Sequence, residues 1–278
     1  MRRQSVFLVT MMCFGFAFFY IPILSMIVYS FNGSRLATVW GGFSTKWYVS
    51  LFSNKQILKA AILSLQIAVL SATFATILGT MAGIALARFK RFRGRTLFSG
   101  LVTAPLVMPE VITGIASLML FILMAEWIGW PASRGFTTVT LAHITFSMVF
   151  VTTIVHSRLS EADAAVEEAA MDLGSRPWQV MKDITLPIIS PALISGWLLA
   201  FTLSLDDLVL ASFVSGPSST TLPMQVFSSA RMGVSPKINA LATILIVTVS
   251  LVGVIGWYFM ERAERRRQME MKMATKQH

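Results

Sequence analysis

Six apolar stretches dominate the chain, and each is long enough to form a helix that crosses a lipid bilayer. They cover residues 6–31, 60–87, 98–125, 136–156, 188–214 and 238–260, whereas a helix needs about 20 residues to span roughly 30 Å of hydrocarbon. Backbone N–H and C=O groups find no water in that layer, so they must bond within each segment. None of the stretches alternates apolar and polar residues as a barrel strand does. The sequence therefore predicts an all-α integral membrane protein with six transmembrane helices in one domain.

Composition and motifs restrict the classes of function further. Only 13% of the residues are charged and 55% are hydrophobic, whereas about 25% of the residues in a soluble domain are charged. One cysteine, Cys13, excludes an internal disulfide framework and a CxxC motif. The sequence contains no Walker-type phosphate loop, GxGxxG turn, HExxH pair or GxSxG elbow. We therefore expect a non-enzyme without catalytic residues, metal ligands or a cofactor of its own.

Basic residues in the connections predict the orientation. Sixteen of the 23 Lys and Arg residues lie on the side that holds both termini and the connections 88–97 and 157–187. Because cytoplasmic loops carry the excess of Lys and Arg, both termini of this multi-pass chain are predicted to be cytoplasmic. The basic runs at 88–95 and 262–267 directly follow spans, which favours contact with anionic lipid of the bilayer over contact with nucleic acid.

The connection 157–187 carries several helix signals. Ser160 and Asp163 have the spacing of a capping box, and Gly174 is placed to end a helix in a left-handed conformation. Pro177 is suited to open a second short helix, which Pro187 would close before the fifth span. Small and apolar residues share one face of the first helix: Leu159, Ala162, Val166, Ala169 and Leu173. This pattern fits either docking into the groove of a partner or packing against the rest of the chain.

The same segment resembles the EAA signature of bacterial ABC-importer permeases. Residues 168–174 read Glu-Ala-Ala-Met-Asp-Leu-Gly, and Ile-Thr-Leu-Pro follows at 184–187, so every position of the pattern EAA-x3-G-x9-I-x-LP is present. The motif lies between the fourth and fifth of six spans, as it does in that family. The stretches 103–114, 200–217 and 232–244 are similar to the polyamine branch of the family.

This resemblance implies a fold, partners and coupling residues. The fold is the type I ABC-importer permease fold, in which coupling helices between helices 4 and 5 dock on a cytoplasmic ATPase. The implied partners are a second permease in a heterodimer, two ATPase subunits that bind ATP and Mg, and a periplasmic binding protein that delivers a polyamine. Putrescine is the implied cargo, carried across the bacterial inner membrane. The implied ATPase-coupling residues are Glu168, Ala169, Ala170, Asp172, Gly174, Ile184, Leu186 and Pro187.

Three carboxylates inside the spans, Glu110, Asp206 and Asp207, are candidate contacts for the cargo. An acidic residue at the bilayer centre costs about 2.5–3.5 kcal/mol on insertion scales, so such residues face the protein interior or water. A pathway for a cation with two ammonium groups would account for them. The alternative is a scaffold role, in which they are protonated or hydrogen-bonded to a neighbouring helix. Pro105 and Pro109 interrupt the span that carries Glu110.

Two other functions stay open at this point. A permease for another cationic or small organic solute would carry the same signature. A proton-coupled secondary transporter could use Glu110, Asp206 and Asp207 but would not need the EAA segment. His143, inside the fourth span, is either a proton relay or a hydrogen-bonded helix contact, and the sequence indicates no partner for it.

Overall fold

A computed structural model describes residues 6–35, 39–89, 91–231 and 236–275. Arg2, Arg3, Lys90 and Lys276, which contribute to the predicted orientation, lie outside the described residues, as does part of the stretch 232–244. The described chain is helical, and its β-structure is an isolated bridge between Asn32 and Phe43.

Twelve α-helices and one π-helical segment follow one another along the described residues. The first six are α1 (Val6–Ser30), α2 (Lys46–Phe52), α3 (Lys55–Arg88), α4 (Arg95–Val107), α5 (Glu110–Ile128) and α6 (Phe136–Glu161). Next come α7 (Ala165–Asp172), α8 (Pro177–Val180), the π segment (Met181–Thr185) and α9 (Leu186–Asp206). The last three are α10 (Val209–Val214), α11 (Leu222–Arg231) and α12 (Pro236–Thr275).

Five helices are long and apolar enough to cross a membrane. They are α1, α3, α5, α6 and the continuous helix Pro177–Asp206. Two shorter apolar helices, α4 and the stretch Pro236–Leu251 of α12, lie in the predicted third and sixth spans. The predicted all-α membrane class is confirmed. Breaks within the predicted third and fifth spans divide each of them into two helices.

The first break divides the predicted third span. Met108 is extended, with ψ 135°, and separates α4 from α5. The next residue is Pro109, whose ring disfavours helical backbone at the preceding residue and which has no N–H for the helix ladder. The second break divides the predicted fifth span at Asp207, which is also extended, with ψ 122°. No proline follows Asp207, so the sequence carries no comparable signal for that break.

The described residues fall into two compact units, and the single domain expected from the sequence stays a prediction. In the unit that holds residues up to 55 and from 228 onward, α1 and α2 both pack against α12. Asn32 organises the connection after α1, because its side chain donates to the Val39 carbonyl and accepts from the N–H groups of Ser34 and Gly41. Asn32 is fully buried, and these bonds satisfy its amide.

The central helix of the second unit, residues 56–227, is α6. It packs against α9, α10 and α4. Its cytoplasm-directed half, by the predicted orientation, contributes Val151, Val155 and Leu159 to a buried cluster with Ala72 and Ala75 of α3 and Ile189 and Ala200 of α9. The functional side chains described below are therefore attached to a packed three-helix core.

Two glycines bring α3 close to α6. A Cβ atom at Gly79 would lie 2.7 Å from the Met148 carbonyl oxygen and 2.7 Å from Val151 Cβ, and one at Gly83 would lie 2.9 Å from Val155 Cβ. Small residues permit such backbone approach between membrane helices, where packing rather than water exclusion holds helices together. These two glycines therefore set the short distance between α3 and α6.

Candidate functional site

We call residues 157–187 the coupling loop, and the structure starts it as a continuation of α6. That helix runs to Glu161, beyond the predicted end of the fourth span at 156. The predicted capping box is wrong, because Ser160 lies inside α6 and its hydroxyl donates to the His156 carbonyl. Asp163 caps α7 instead, since its Oδ1 accepts the N–H of Ala165 at 2.9 Å. The helix persists to Glu161 because Leu159 is fully buried in the core cluster.

The predicted apolar face is consequently divided between two helices. Leu159 belongs to α6 and is buried, whereas Leu173 follows α7 and is 89% exposed. The predicted left-handed glycine is confirmed, since Gly174 has φ 89°. Its N–H donates to the Met171 carbonyl and the N–H of Ser175 donates to the Ala170 carbonyl, which are the two bonds of a Schellman motif.

Pro177 opens α8 as predicted, but the prediction that Pro187 closes the short helix is wrong. The backbone stays helical from Pro177 through the π segment to Asp206. Leu186 donates to the carbonyl of Met181, five residues earlier. A π turn is wider than an α turn, so it accommodates a proline ring that would otherwise clash with the carbonyl four residues before it.

The structure places most of the predicted coupling residues at the surface of the coupling loop. Glu168, Ala169, Asp172, Gly174 and Pro187 are exposed, and Ala170, Ile184 and Leu186 are half-buried. Two large apolar side chains stand beside them, Leu173 and Trp178, the latter 73% exposed. The predicted coupling residues thus lie beside two exposed apolar side chains.

A partly buried ion pair, which no sequence pattern indicated, lies beneath this surface. Glu167, not Glu168, points inward: its Oε1 accepts hydrogen bonds from Arg88 Nη2 and Thr185 Oγ1, each at 2.9 Å. Arg88 Nε lies 2.9 Å from the other carboxylate oxygen, and Arg88 Nη1 donates to the Leu159 carbonyl at 3.1 Å. The EAA signature includes Glu168 and not Glu167. No local pattern links Glu167 to Arg88, a residue 79 positions earlier.

Asp207 occupies the second helix break and is largely committed to contacts within the chain. Its Oδ2 accepts the N–H of Ala211 at 2.7 Å and its Oδ1 accepts the N–H of Leu210 at 3.1 Å, so it caps α10. The same Oδ2 lies 3.1 Å from His143 Nε2. Capping of this kind satisfies two N–H groups that the break would otherwise leave unpaired.

His143 therefore has partners that the sequence did not indicate. Its side chain is 2% exposed, and its Nδ1 lies 2.6 Å from Ser204 Oγ, which accepts a hydrogen bond from Ser71. A neutral imidazole that carries its proton on Nε2 satisfies both ring contacts. The chain of bonds from Ser71 through Ser204 and His143 to Asp207 connects α3, α9 and α6 with the break before α10.

The other two membrane carboxylates lie in different surroundings. Asp206 is the last residue of α9 and is exposed, although it adjoins Asp207. Glu110 is the exposed first residue of α5, where the helix dipole favours a negative charge. The structure thus brings one of the three carboxylates into a buried network and leaves two exposed at helix breaks. In the described residues no three His, Cys, Asp or Glu side chains are grouped to hold a metal ion.

Comparison with known proteins identifies the class to which this architecture belongs. The model of the family of binding-protein-dependent transport system inner membrane components matches residues 75–269, and the chain belongs to this family. It is a multi-pass transport permease subunit. Among its relatives, the putrescine transport system permease protein PotI of Escherichia coli K12 is 55% identical over 98% of this chain and 97% of its own length. The spermidine/putrescine transport system permease protein PotC of the same strain is 46% identical over 87% of this chain and 88% of its own.

Solved structures show the fold. A bacterial ABC transporter for import of the acidic polysaccharide alginate has a chain that matches 93% of this chain and 98% of its own length, with a TM-score of 0.69 and 18% identity. The MetNI methionine ABC transporter, in an inward-facing conformation, gives a TM-score of 0.58 over 73% of this chain and 94% of its own, with 17% identity. The predicted type I ABC-importer permease fold is thereby confirmed.

Proposed function

We propose that this chain is one of two different permease subunits of an ATP-driven importer that moves a polyamine, with putrescine first, across the bacterial inner membrane. The observation that carries the proposal is the 55% identity to the putrescine permease PotI over 98% of the chain. PotC, a second relative, is also a polyamine permease by name. An importer of another cationic or small organic solute is the alternative.

The exposed surface of the coupling loop supports docking on an ATPase subunit. Glu168 and Asp172 present carboxylates beside Leu173 and Trp178, which are large apolar groups left in water. Burying such groups on association is favourable by about 25 cal/mol per Å² of apolar area. We propose that each of two ATPase subunits, which bind ATP and Mg, docks one permease chain through this loop. Ala169 permits close approach there because it carries only a methyl group.

The membrane carboxylates support a pathway for a cation. Asp206 and Glu110 are exposed at the ends of helices that stop inside predicted spans. Broken helices at membrane depth occur where they are covered by protein or line a watery cavity. We propose that Asp206 and Glu110 contact the ammonium groups of the passing cargo, and that Asp207 contributes negative charge while it holds the break.

Delivery by a periplasmic binding protein fits the charge distribution. With both termini in the cytoplasm, as the excess of basic residues on that side favours, the outer connections carry Arg35, Lys46, Lys55, Lys59, Arg134, Arg231 and Lys237 against one carboxylate, Glu126. Such a positive surface does not attract a polycation from solution. A binding protein that encloses the cargo and docks on the outer side removes this obstacle.

Transport by the complete complex reconstituted into vesicles tests the proposal. With the second permease, the ATPase subunits and the binding protein present, we expect ATP-dependent, vanadate-sensitive uptake of labelled putrescine that unlabelled polyamines compete away. Glu110→Gln and Asp206→Asn should lower uptake, and Glu126→Gln, an exposed control on the same helix as Glu110, should not. Vanadate-resistant uptake driven by a pH gradient would support a proton-coupled transporter instead, and an absence of polyamine uptake would overturn the assigned cargo.

A further inference from the structure

A partly buried ion pair ties the coupling loop to a helix that is remote from it in sequence. Arg88, the last residue of α3, reaches Glu167 of α7, and their side chains are 21% and 13% exposed. Arg88 Nη2 donates a hydrogen bond to Glu167 Oε1, and Arg88 Nε lies 2.9 Å from Oε2 as an ion-pair contact without hydrogen-bond geometry. A partly buried, charge-assisted hydrogen bond is stronger than an ion pair between exposed side chains.

The same two side chains hold two further elements. Arg88 Nη1 donates to the Leu159 carbonyl in the last turn of α6, and Glu167 Oε1 accepts from Thr185, which is buried in the π segment. A cation at the carboxyl end of α3 is also favoured by the helix dipole. One ion pair therefore connects α3, α6, α7 and the segment that leads directly into α9.

Apolar packing does little to hold α7 in place. None of its eight residues is fully buried. Its chain connections are the extended residue Ala162 on one side and the Gly174 turn on the other. A short helix with so little buried surface depends on its polar anchors for its position, and Glu167 supplies that anchor.

We propose that Glu167 and Arg88 are positioning residues that carry movement of α7 to α3 and α9, and thereby couple the ATPase to the membrane pathway. This inference rests on the proposed function. In it Glu168 faces the ATPase, whereas Glu167, one position earlier, contacts the end of α3 and the π segment. When a docked ATPase displaces α7, the rigid contact transmits the displacement to Arg88 on α3 and through Thr185 to α9. Those two helices meet at the Ser71–Ser204 hydrogen bond beside His143 and Asp207.

The test compares coupling, not activity alone. Glu167→Gln keeps the size of the side chain and an acceptor for Thr185 but removes the charge that binds Arg88. In the complete reconstituted complex we expect this variant to insert, assemble and hydrolyse ATP, while putrescine taken up per ATP hydrolysed falls about tenfold, the size expected for loss of one charge-assisted hydrogen bond. Glu161→Gln is the matched control, because Glu161 is 69% exposed and lies 3.9 Å from Arg158. Its ratio should equal that of the unaltered protein.

Charge reversal separates positioning from simple damage. Arg88→Glu alone should uncouple the complex. Arg88→Glu combined with Glu167→Arg should raise the ratio above that of Arg88→Glu, but not to the original value, because the reversed pair restores neither the bond to the Leu159 carbonyl nor the bond from Thr185. A merely structural role would lower uptake and ATP hydrolysis together and leave their ratio unchanged. A normal ratio in Glu167→Gln, or no recovery in the reversed pair, would overturn the proposal.

Stimulation of ATP hydrolysis by the binding protein gives a readout that does not depend on the cargo. We expect this stimulation to be lost in Glu167→Gln and partly restored in the reversed pair. If the unaltered complex takes up no polyamine but its ATPase responds to the binding protein, the assigned cargo fails and the ion pair is still tested by that response. If the response is unaltered in Glu167→Gln, the ion pair does not couple.

Discussion

Replacement of Gly79 by alanine tests whether close contact between α3 and α6 holds the functional side chains in register. The added Cβ would lie 2.7 Å from the Met148 carbonyl oxygen and 2.7 Å from Val151 Cβ, whereas ordinary contact begins near 3.4 Å. The carbonyl belongs to a packed helix backbone and cannot rotate away, so the two helices must separate by roughly 0.7 Å or more, a gap that forfeits a quarter to a half of the dispersion energy of each contact involved.

Overpacking by one methyl group costs about 1–3 kcal/mol. Val151 also belongs to the core cluster that includes Val155, so we expect a loss near the upper end of that range, about 2–3 kcal/mol. The matched control is Gly100→Ala in α4, where the new Cβ meets no atom within 4 Å. There the alanine should stabilise the helix by about 0.5–1 kcal/mol, because glycine loses more backbone entropy on folding.

The free energy of unfolding of both variants is measured in mixed micelles. Circular dichroism follows the loss of helix as the fraction of denaturing detergent rises. The free energies of unfolding of the two variants should differ by about 3 kcal/mol. Equal stability would refute the conclusion that α3 and α6 are in backbone contact at Gly79. A destabilised Gly79→Ala protein should also transport poorly, since Ser71 and Arg88 are carried on the displaced helix.

Substitutions at three further positions address the remaining parts of the site. Asp207→Ala removes both the cap of α10 and the partner of His143, so the free energy of unfolding should fall by about 2–4 kcal/mol. Asp207→Asn keeps an acceptor, so the protein should still assemble, but its putrescine uptake should be lower. Equal stability of these two variants would contradict the capping role. Gly174→Asp should insert normally yet uncouple ATP hydrolysis from uptake, because an aspartate at φ 89° would strain the turn between α7 and α8. Unchanged ATP-driven uptake would contradict this prediction. Glu110→Gln should reduce uptake by a correctly inserted protein, and uptake at the unaltered rate would remove Glu110 from the pathway.

The coupling loop shows how far local signals extend. Gly174 and Pro177 act within one turn of the backbone, and both predictions for them hold in the structure. The capping box at Ser160 fails because burial of Leu159 prolongs α6 past it. Pro187 does not end the helix, because the preceding π turn accommodates its ring. In both cases the deciding energy is packing in a helix whose neighbours lie far away in sequence.

Side-chain partnerships were the least predictable feature. His143 has no partner within its own span, and its contacts come from residues 61 and 64 positions later. Glu167 pairs with Arg88, 79 positions earlier. A helical repeat places residues on faces, but it does not state which face of which other helix they meet.

The sequence by itself determined that this chain is an all-α membrane permease, because runs of apolar residues must bond their own backbone in a bilayer and because the EAA signature is a local pattern. Tertiary structure alone decided which carboxylates are committed to the scaffold. Asp206 and Asp207 are chemically identical neighbours, and only the break after α9, together with His143 on α6, gives Asp207 three bonding partners and leaves Asp206 exposed. The same holds for Glu167 and Glu168, since adjacent positions on a helix differ by about 100° and contact different parts of the protein.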